Sequence, residues 1–365
     1  MEREVPAVPV QSDVQAKSAA PSARLASLAV RLVVSLAIGG CLVWLLNKGG
    51  LPVVPSQASF QTLPLWVWPS FVGLWLASLW LRIYRWLHLL RPIAPDISKQ
   101  RTIGVGMVGF AALFAPMRMG ELARPVLISR GRQVGFMQAA GTVVAERIVD
   151  GVTLSVVLAL GLWIAPPLEP LPDHVGDLQL PLHLVPAIAM TALTGFVSAF
   201  AAMVLFYFWR ATARRLVMSM VGIVSKPLAT WLTAQVERVS DSLSFLLSRT
   251  HGLAFVRDTL IYWALNVGST WVLLRGAGVP ASAAQAAVTI GVLGLSTALP
   301  GPPGFYGMYQ LGVYCGVALY FPALVQTSGV LFAFVSYCVQ LITAALSLLL
   351  GLWLLARTPV PSDAT

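Results

Sequence analysis

Nine apolar runs divide the chain, at about 25–46, 64–90, 102–117, 135–165, 184–208, 253–275, 283–299, 305–320 and 323–356, and each predicts a helix. Several reach the roughly 20 residues that a helix needs to cross a hydrocarbon core. Polar positions between them orient the runs. Arg24 and Arg31 open the first run; Arg82, Arg85, Arg91, Lys99 and Arg101 follow the second. Arg118, Arg124, Arg130 and Arg132 follow the third, and Arg210, Arg214 and Arg215 the fifth. The segment 166–183 instead carries Glu169, Asp173 and Asp177 with no Lys or Arg. Positive charge is retained on the cytoplasmic side, so the basic segments are expected inside and 166–183 outside.

The third run is short and has basic residues at both ends. A full crossing would export one of those clusters, whereas a re-entrant hairpin keeps both inside. The runs at 283–299 and 305–320, joined by Pro300-Gly301-Pro302-Pro303-Gly304, have the same look and are expected to enter from outside. Broken helices are tolerated at membrane depth only when protein or a cavity surrounds them. The two halves, about 24–166 and 184–357, then match in opposite senses, the pattern of an inverted repeat whose broken segments mark a binding site. The expected fold is an all-α, polytopic transmembrane helical bundle of about six full spans plus two re-entrant helical hairpins, with both termini cytoplasmic. Residues 1–23, rich in Pro, Ala and Ser, read as a disordered cytoplasmic tail. Residues 214–250 read as an amphipathic segment on the inner leaflet, and 358–365 as a short tail. The first run is too long for a signal-peptide core and lacks a convincing cleavage site, so it is kept as a span.

Composition excludes a soluble domain: hydrophobic residues make up 57% and charged residues 10% of the 365 positions, and mean hydropathy is +0.79. Soluble domains carry about 25% charged residues. The net charge of +10 sits in the short stretches between apolar runs, which favours topology and anionic headgroups over nucleic acid. Cys41, Cys315 and Cys338 lie inside apolar runs without a pairing pattern. His88, His174, His183 and His251 are far apart in sequence and make no ligand spacing. No metal, cofactor or catalytic residue is expected. Gly104-Val105-Gly106-Met107-Val108-Gly109 matches a dinucleotide fingerprint but has no strand before it; small residues at that spacing pack membrane helices, as do Gly312 and Gly316.

Chemistry concentrates after the third run, in Pro116-Met117-Arg118-Met119-Gly120-Glu121-Leu122-Ala123-Arg124-Pro125, and in Glu146-Arg147-Ile148-Val149-Asp150 inside the fourth. Glu146 and Asp150 share a helix face, with Arg147 three residues before Asp150. One ionised side chain at the helix centre costs roughly 2.5–3.5 kcal/mol, so three within five residues must pair or face a polar cavity. They either pin the inner hairpin to the long span or form a headgroup site in which Arg binds phosphate. The candidate site is Arg118, Glu121, Arg124, Glu146, Arg147 and Asp150. The second turn adds Pro303, Gly304, Gly307 and Gln310, since a half-helix starting near the midplane presents free N–H groups.

The Pro-x-Arg-x-Gly-Glu-x-x-Arg-Pro stretch, the Glu-Arg-x-x-Asp stretch and the Pro-Gly-x-x-Gly turn at Pro303, Gly304 and Gly307 occur here in order. In this the chain resembles the flippase-like membrane domain of lysylphosphatidylglycerol synthases, over about residues 25–356. The resemblance implies a multispan helical fold and lipid translocation in a bacterial cytoplasmic membrane, the substrate being a phospholipid, glycolipid or hopanoid-type lipid. It departs where Gln310 stands for a common acidic residue and Gln340 for a common Arg. No synthase half precedes Thr365, so aminoacylation is not expected. Membrane lipids are the expected partners, with a lipid-synthesis enzyme as a further one. The rival readings are a membrane-embedded lipid-modifying enzyme, which would need a nucleophile or metal cluster, and a non-transporting partner of a synthesis enzyme.

Overall fold

A computed structural model describes residues 21–115, 120–221, 223, 225–246, 248–298 and 302–358, with backbone alone at 21–32, 35 and 213. The apolar runs become helices with local stops. They are α1 (Pro21–Lys48), α2 (Gln57–Gln61), α3 (Val67–Tyr84), α4 (Trp86–Leu90), α5 (Lys99–Ala112), α6 (Gly120–Ser129) and α7 (Phe136–Ile164). The second half gives α8 (Val185–Phe208), α9 (Arg210–Val221), α10 (Lys226–Ser242), α11 (Arg249–Gly276), α12 (Ala283–Ala298), α13 (Met308–Ala318) and α14 (Val330–Ala356). Serine side chains cap α5, α10 and α11: Ser98 accepts from Arg101 N, Ser225 from Leu228 N and Ser248 from His251 N. Each satisfies an amide that the first helical turn leaves without a partner. Three stretches, Phe136–Ile164, Leu182–Phe208 and Pro322–Ala356, are long and apolar enough to cross a membrane by length and composition. The protein is a multi-pass helical membrane protein.

Hydrogen bonds tie the helix ends into two faces. On one, Arg101 donates to Leu127 O (3.2 Å) and Thr358 O (3.3 Å), which gathers the base of α5, the end of α6 and the end of α14. The start of α7 joins them, with Gly141 against Ser242 of α10. On the other face, Asp177 N donates to Gly49 O (2.8 Å) and Leu168 N to Leu319 O (3.1 Å). Tyr314 also donates to Pro52 O (2.7 Å). The acidic segment 166–183, the end of α1 and the base of the α12–α13 hairpin therefore share that face. Within the segment, β1 (His174–Val175) and β2 (Leu178–Gln179) form a small antiparallel hairpin, an addition to the all-helical expectation. It turns at Gly176, whose φ of 62° glycine adopts without strain.

The helix pairs α5–α6 and α12–α13 have their bases on these two faces and are short. At about 1.5 Å per residue, α5 spans about 21 Å and α6 about 15 Å, well under the roughly 30 Å hydrocarbon core. Their tips meet: Gly304 N donates to Phe114 O at 2.8 Å. The Phe114 ring sits 6.0 Å from that of Phe305 and 5.7 Å from that of Phe110. Each hairpin lies against the long helix of the other half, α5 on α14 and α12 on α7, while α3 packs on α11. The glycines explain the closeness. Gly104 faces Leu354 of α14, Gly106 faces Ile83 of α3 and Gly109 faces Arg124 of α6, so the fingerprint-like run serves three helix contacts. Gly312 and Gly316 likewise admit Ser296 and Thr289 of α12. Around the segment 214–250 the chain forms α9 and α10, which pack on each other.

Candidate functional site

Several charged residues converge on Arg85, which the sequence groups with the basic residues that follow the second run. α3 runs through Arg85, whose φ and ψ are helical, into α4, and the Arg85 side chain is 0% exposed. It donates to Asp150 Oδ2 (2.6 Å), Glu146 Oε1 (3.2 Å) and Thr259 Oγ1 of α11 (3.1 Å). The rings of Tyr262 and Phe255 lie 4.8 and 5.6 Å from its guanidinium carbon. Glu146, also wholly buried, accepts from Arg124 of α6 (2.7 Å) and from Arg147 (2.8 Å). Arg147 further pairs with Asp150 at 3.1 Å. Arg124 stacks on Trp86, 4.2 Å from ring centroid to guanidinium carbon, and Trp86 Nε1 donates to Thr142 at 3.0 Å. Three guanidiniums thus share two carboxylates. Asp150 is the fifteenth of the 29 residues of α7, so the network lies at mid-helix.

A cavity of about 360 Å³ borders this network, within the size range of small-molecule sites. Its ionic wall comes from Arg82 of α3, Glu121 of α6, and Arg147 and Asp150 of α7. Phe110, Phe114 and Phe305 from the hairpin tips, with Trp75, Tyr262 and Trp263, supply the aromatic wall. Asn266, Thr297, Tyr309 and Gln340, from α11 to α14, supply neutral polar groups. Arg82 donates to Tyr262 Oη (3.3 Å) and has no carboxylate within ion-pair distance among the described residues. Asp150 Oδ1 and Trp263 Nε1 are buried without a hydrogen-bond partner, and buried polar groups are rarely left so.

The predicted residues separate into distinct roles. Glu121, Arg147 and Asp150 line the cavity. Arg124 reaches a smaller void of about 20 Å³ beside it, and Glu146 lies behind both, holding the arginines. Arg118 lies outside the described residues. Of the second turn, Phe305 and Tyr309 line the cavity, while Pro303, Gly304, Gly307 and Gln310 do not. Gln310 is buried and its Oε1 accepts from Gly307 N at 2.7 Å. It caps α13 rather than reaching the cavity. Gln340 does line the cavity, donating to Tyr309 Oη at 2.7 Å, and Tyr309 donates on to Ser336 at 2.9 Å. Sequence reasoning missed Arg82 and Arg85 as site residues. The available signal was that their apolar run continues through Trp86, Leu87, Leu89 and Leu90. It also set His88 and His251 apart, whereas their rings lie 6.3 Å apart and His88 Nε2 meets Asp258 Oδ2 at 3.0 Å.

No curated protein and no solved structure matches the chain. The family model described as the lysylphosphatidylglycerol synthase TM region matches residues 29–351, the stretch that contains both hairpins, the ionic network and the cavity. The chain belongs to that family.

Proposed function

We propose that this protein binds a lipid headgroup in the central cavity and carries it between leaflets, as a translocator rather than an enzyme. The observation that carries the reading is the position of the cavity. It lies where two half-length hairpins from opposite faces meet tip to tip, beside ionised groups at mid-helix. Ionisable residues at that depth mark substrate pathways, and paired broken helices flank the substrate site in inverted-repeat transporters. In this reading α1, α3–α4, α7, α8, α11 and α14 cross the bilayer, the hairpins α5–α6 and α12–α13 re-enter it, and the halves form an inverted repeat. The reciprocal packing of α5 on α14 and α12 on α7 supports it. The face with Arg101, Arg130 and Arg132 is cytoplasmic, and the membrane is the bacterial inner membrane. The cavity lining among the described residues contains no His, Cys or Ser, which favours carriage over modification of the lipid.

The test is leaflet exchange of an acyl-labelled phospholipid in proteoliposomes. Wild type is expected to equilibrate the label faster than protein-free liposomes. Arg147→Gln and Asp150→Asn are expected to slow it at least about tenfold, the loss of one charge-assisted contact. Wild-type exchange no faster than the protein-free rate overturns the proposal.

A further inference from the structure

A second concentration of charged and apolar side chains lies apart from the central cavity, in the pair α9–α10. Five cations against two carboxylates stand between Arg210 and Ser242. Arg214 pairs with Glu237 at 3.2 Å, both side chains being more than half exposed. Arg215, Lys226 and Arg238 are exposed and have no carboxylate within ion-pair distance among the described residues. Large apolar side chains are exposed around the turn between the two helices: Met218, Met220, Ile223, Leu228 and Trp231, with Ile223 86% exposed. On the long apolar helices an exposed apolar side chain faces hydrocarbon. Here such side chains are interspersed with cations, which hydrocarbon rejects, while water leaves the apolar groups uncovered. Both kinds of side chain are accommodated together at the boundary between headgroups and acyl chains.

The base of the pair is held at the edge of the bilayer. α9 follows α8 directly, and the stretch Leu182–Phe208 is long and apolar enough to cross a membrane. Tyr207 and Trp209 stand at the junction, the guanidinium carbon of Arg210 lying 5.0 Å from the Tyr207 ring centroid. Such aromatic residues favour the membrane–water interface. The far end of α10 is fixed by Ser242, which fills the notch at Gly141 of α7. At about 1.5 Å per residue α9 extends only about 18 Å from that base, so its turn meets the bilayer surface at high effective concentration. A groove of about 480 Å³ between the helices is lined by Arg214, Arg215, Thr230, Thr233 and Glu237. Thr233 Oγ1 is buried without a hydrogen-bond partner, and with the two guanidiniums it offers donors suited to phosphate oxygens.

We infer that α9–α10 is an anchor for an anionic membrane surface: the pair lies on the leaflet beside it, inserting Met220, Ile223 and Trp231 among the headgroups while Arg214 and Arg215 hold lipid phosphates. The amphipathic pattern calls for a leaflet, and the cations without carboxylates, with the groove, make it an anionic one. Each Lys or Arg near such a surface adds to the attraction. This docking is independent of what the central cavity carries.

The experiment uses the full chain with Cys41, Cys315 and Cys338 replaced and one new cysteine, Ile223→Cys, carrying an environment-sensitive fluorophore. The protein is placed in nanodiscs of phosphatidylcholine, alone or mixed with phosphatidylglycerol, each containing a lipid spin-labelled near the top of its acyl chain as quencher. Quenching is expected to be strong in the anionic discs and weak in the neutral ones. It should fade as salt shortens the screening length to about 3 Å near 1 M. Arg214→Gln with Arg215→Gln is expected to lower the ratio of docked to free label at least about tenfold, as two near-surface cations are lost. Lys226→Gln, which leaves the Arg214–Glu237 pair intact, is expected to lower it about fivefold. Equal quenching in neutral and anionic discs overturns the anionic assignment. No quenching in either leaves the surface facing water, as a protein partner would require, and overturns docking on the membrane. Parent-like quenching in the double variant overturns the role of the two arginines.

Discussion

Replacing Glu146 by Gln removes the charge that three arginines share while keeping the side chain's shape. Asp150 remains to hold Arg85 and Arg147. Arg124 loses its carboxylate altogether and keeps only the face of Trp86. Removing one partner of a buried ion pair costs about 3–5 kcal/mol, because an uncompensated charge stays behind. The stacking of Arg124 on indole offsets roughly 1–2 kcal/mol. The expected net loss is therefore about 3 kcal/mol, or roughly 6 °C in melting temperature at about 2 °C per kcal/mol for a large chain. The double variant Glu146→Gln with Arg124→Gln removes the orphaned charge as well, and should recover at least half of the loss. That non-additivity is the signature of two groups in one network. Intrinsic tryptophan fluorescence in mild detergent measures both. A shift below about 2 °C for the single variant, or additive losses in the double, would show that Glu146 does not hold Arg124 as described.

Gly109 and Gly73 give a contrasting pair. A Cβ at Gly109 would press on the stem of Arg124, which Glu146 and Trp86 hold in place, whereas one at Gly73 meets open space. Gly109→Ala should therefore destabilise by about 1–3 kcal/mol of overpacking, and Gly73→Ala should be neutral or slightly stabilising through helix propensity; equal melting shifts for the two would count against the packing. Topology is checked with single cysteines at the exposed Arg130 and Asp173, in a background lacking Cys41, Cys315 and Cys338. An impermeant thiol reagent on intact cells should label the cysteine at 173 and not the one at 130, and the reverse pattern would overturn the orientation.

Much of this arrangement was legible from the chain because membrane helices obey local rules. The short third run with Arg and Lys at both ends led to the expectation of a hairpin, and α5 packs on α6 with Arg101 bonded to Leu127 O. The spacing of Glu146, Arg147 and Asp150 put them on one side of α7, where they pair with one another and with Arg124. What was not legible depends on contacts distant in sequence. Arg85 and Glu146 are 61 residues apart, and no periodicity reports that separation. Arg82 and Arg85 were grouped with the basic residues after the second run, because a basic residue near the end of an apolar run usually snorkels to water. The packing of α3 and α4 on α11 and α7 buries Arg85 and half-buries Arg82. Gln310 was open to a better reading, since a Gln three residues after the residue that starts a helix has the spacing of a capping side chain.

Arg82 separates a structural network from a site built to bind. A network that pins helices pairs its charges, as Glu146 and Asp150 do for Arg85, Arg124 and Arg147. A partly buried guanidinium without a carboxylate is costly, and Arg82, in the last turn of α3, has only a tyrosine hydroxyl to offset it among the described residues. An anionic ligand that reaches Arg82 should therefore stabilise the folded protein, and the gain should vanish with the arginine. A ligand present at about 100 times its dissociation constant adds about 2.7 kcal/mol, or roughly 5 °C on the scale used above. Phosphatidylglycerol titrated into lipid-depleted protein in detergent should raise the melting temperature of wild type by about that much. Arg82→Gln should begin at the same or a slightly higher temperature, because it removes an uncompensated charge, and should then stay flat. A variant that starts several degrees lower would mean that Arg82 has a stabilising partner. A variant that rises in parallel with wild type would place the phosphate elsewhere in the cavity.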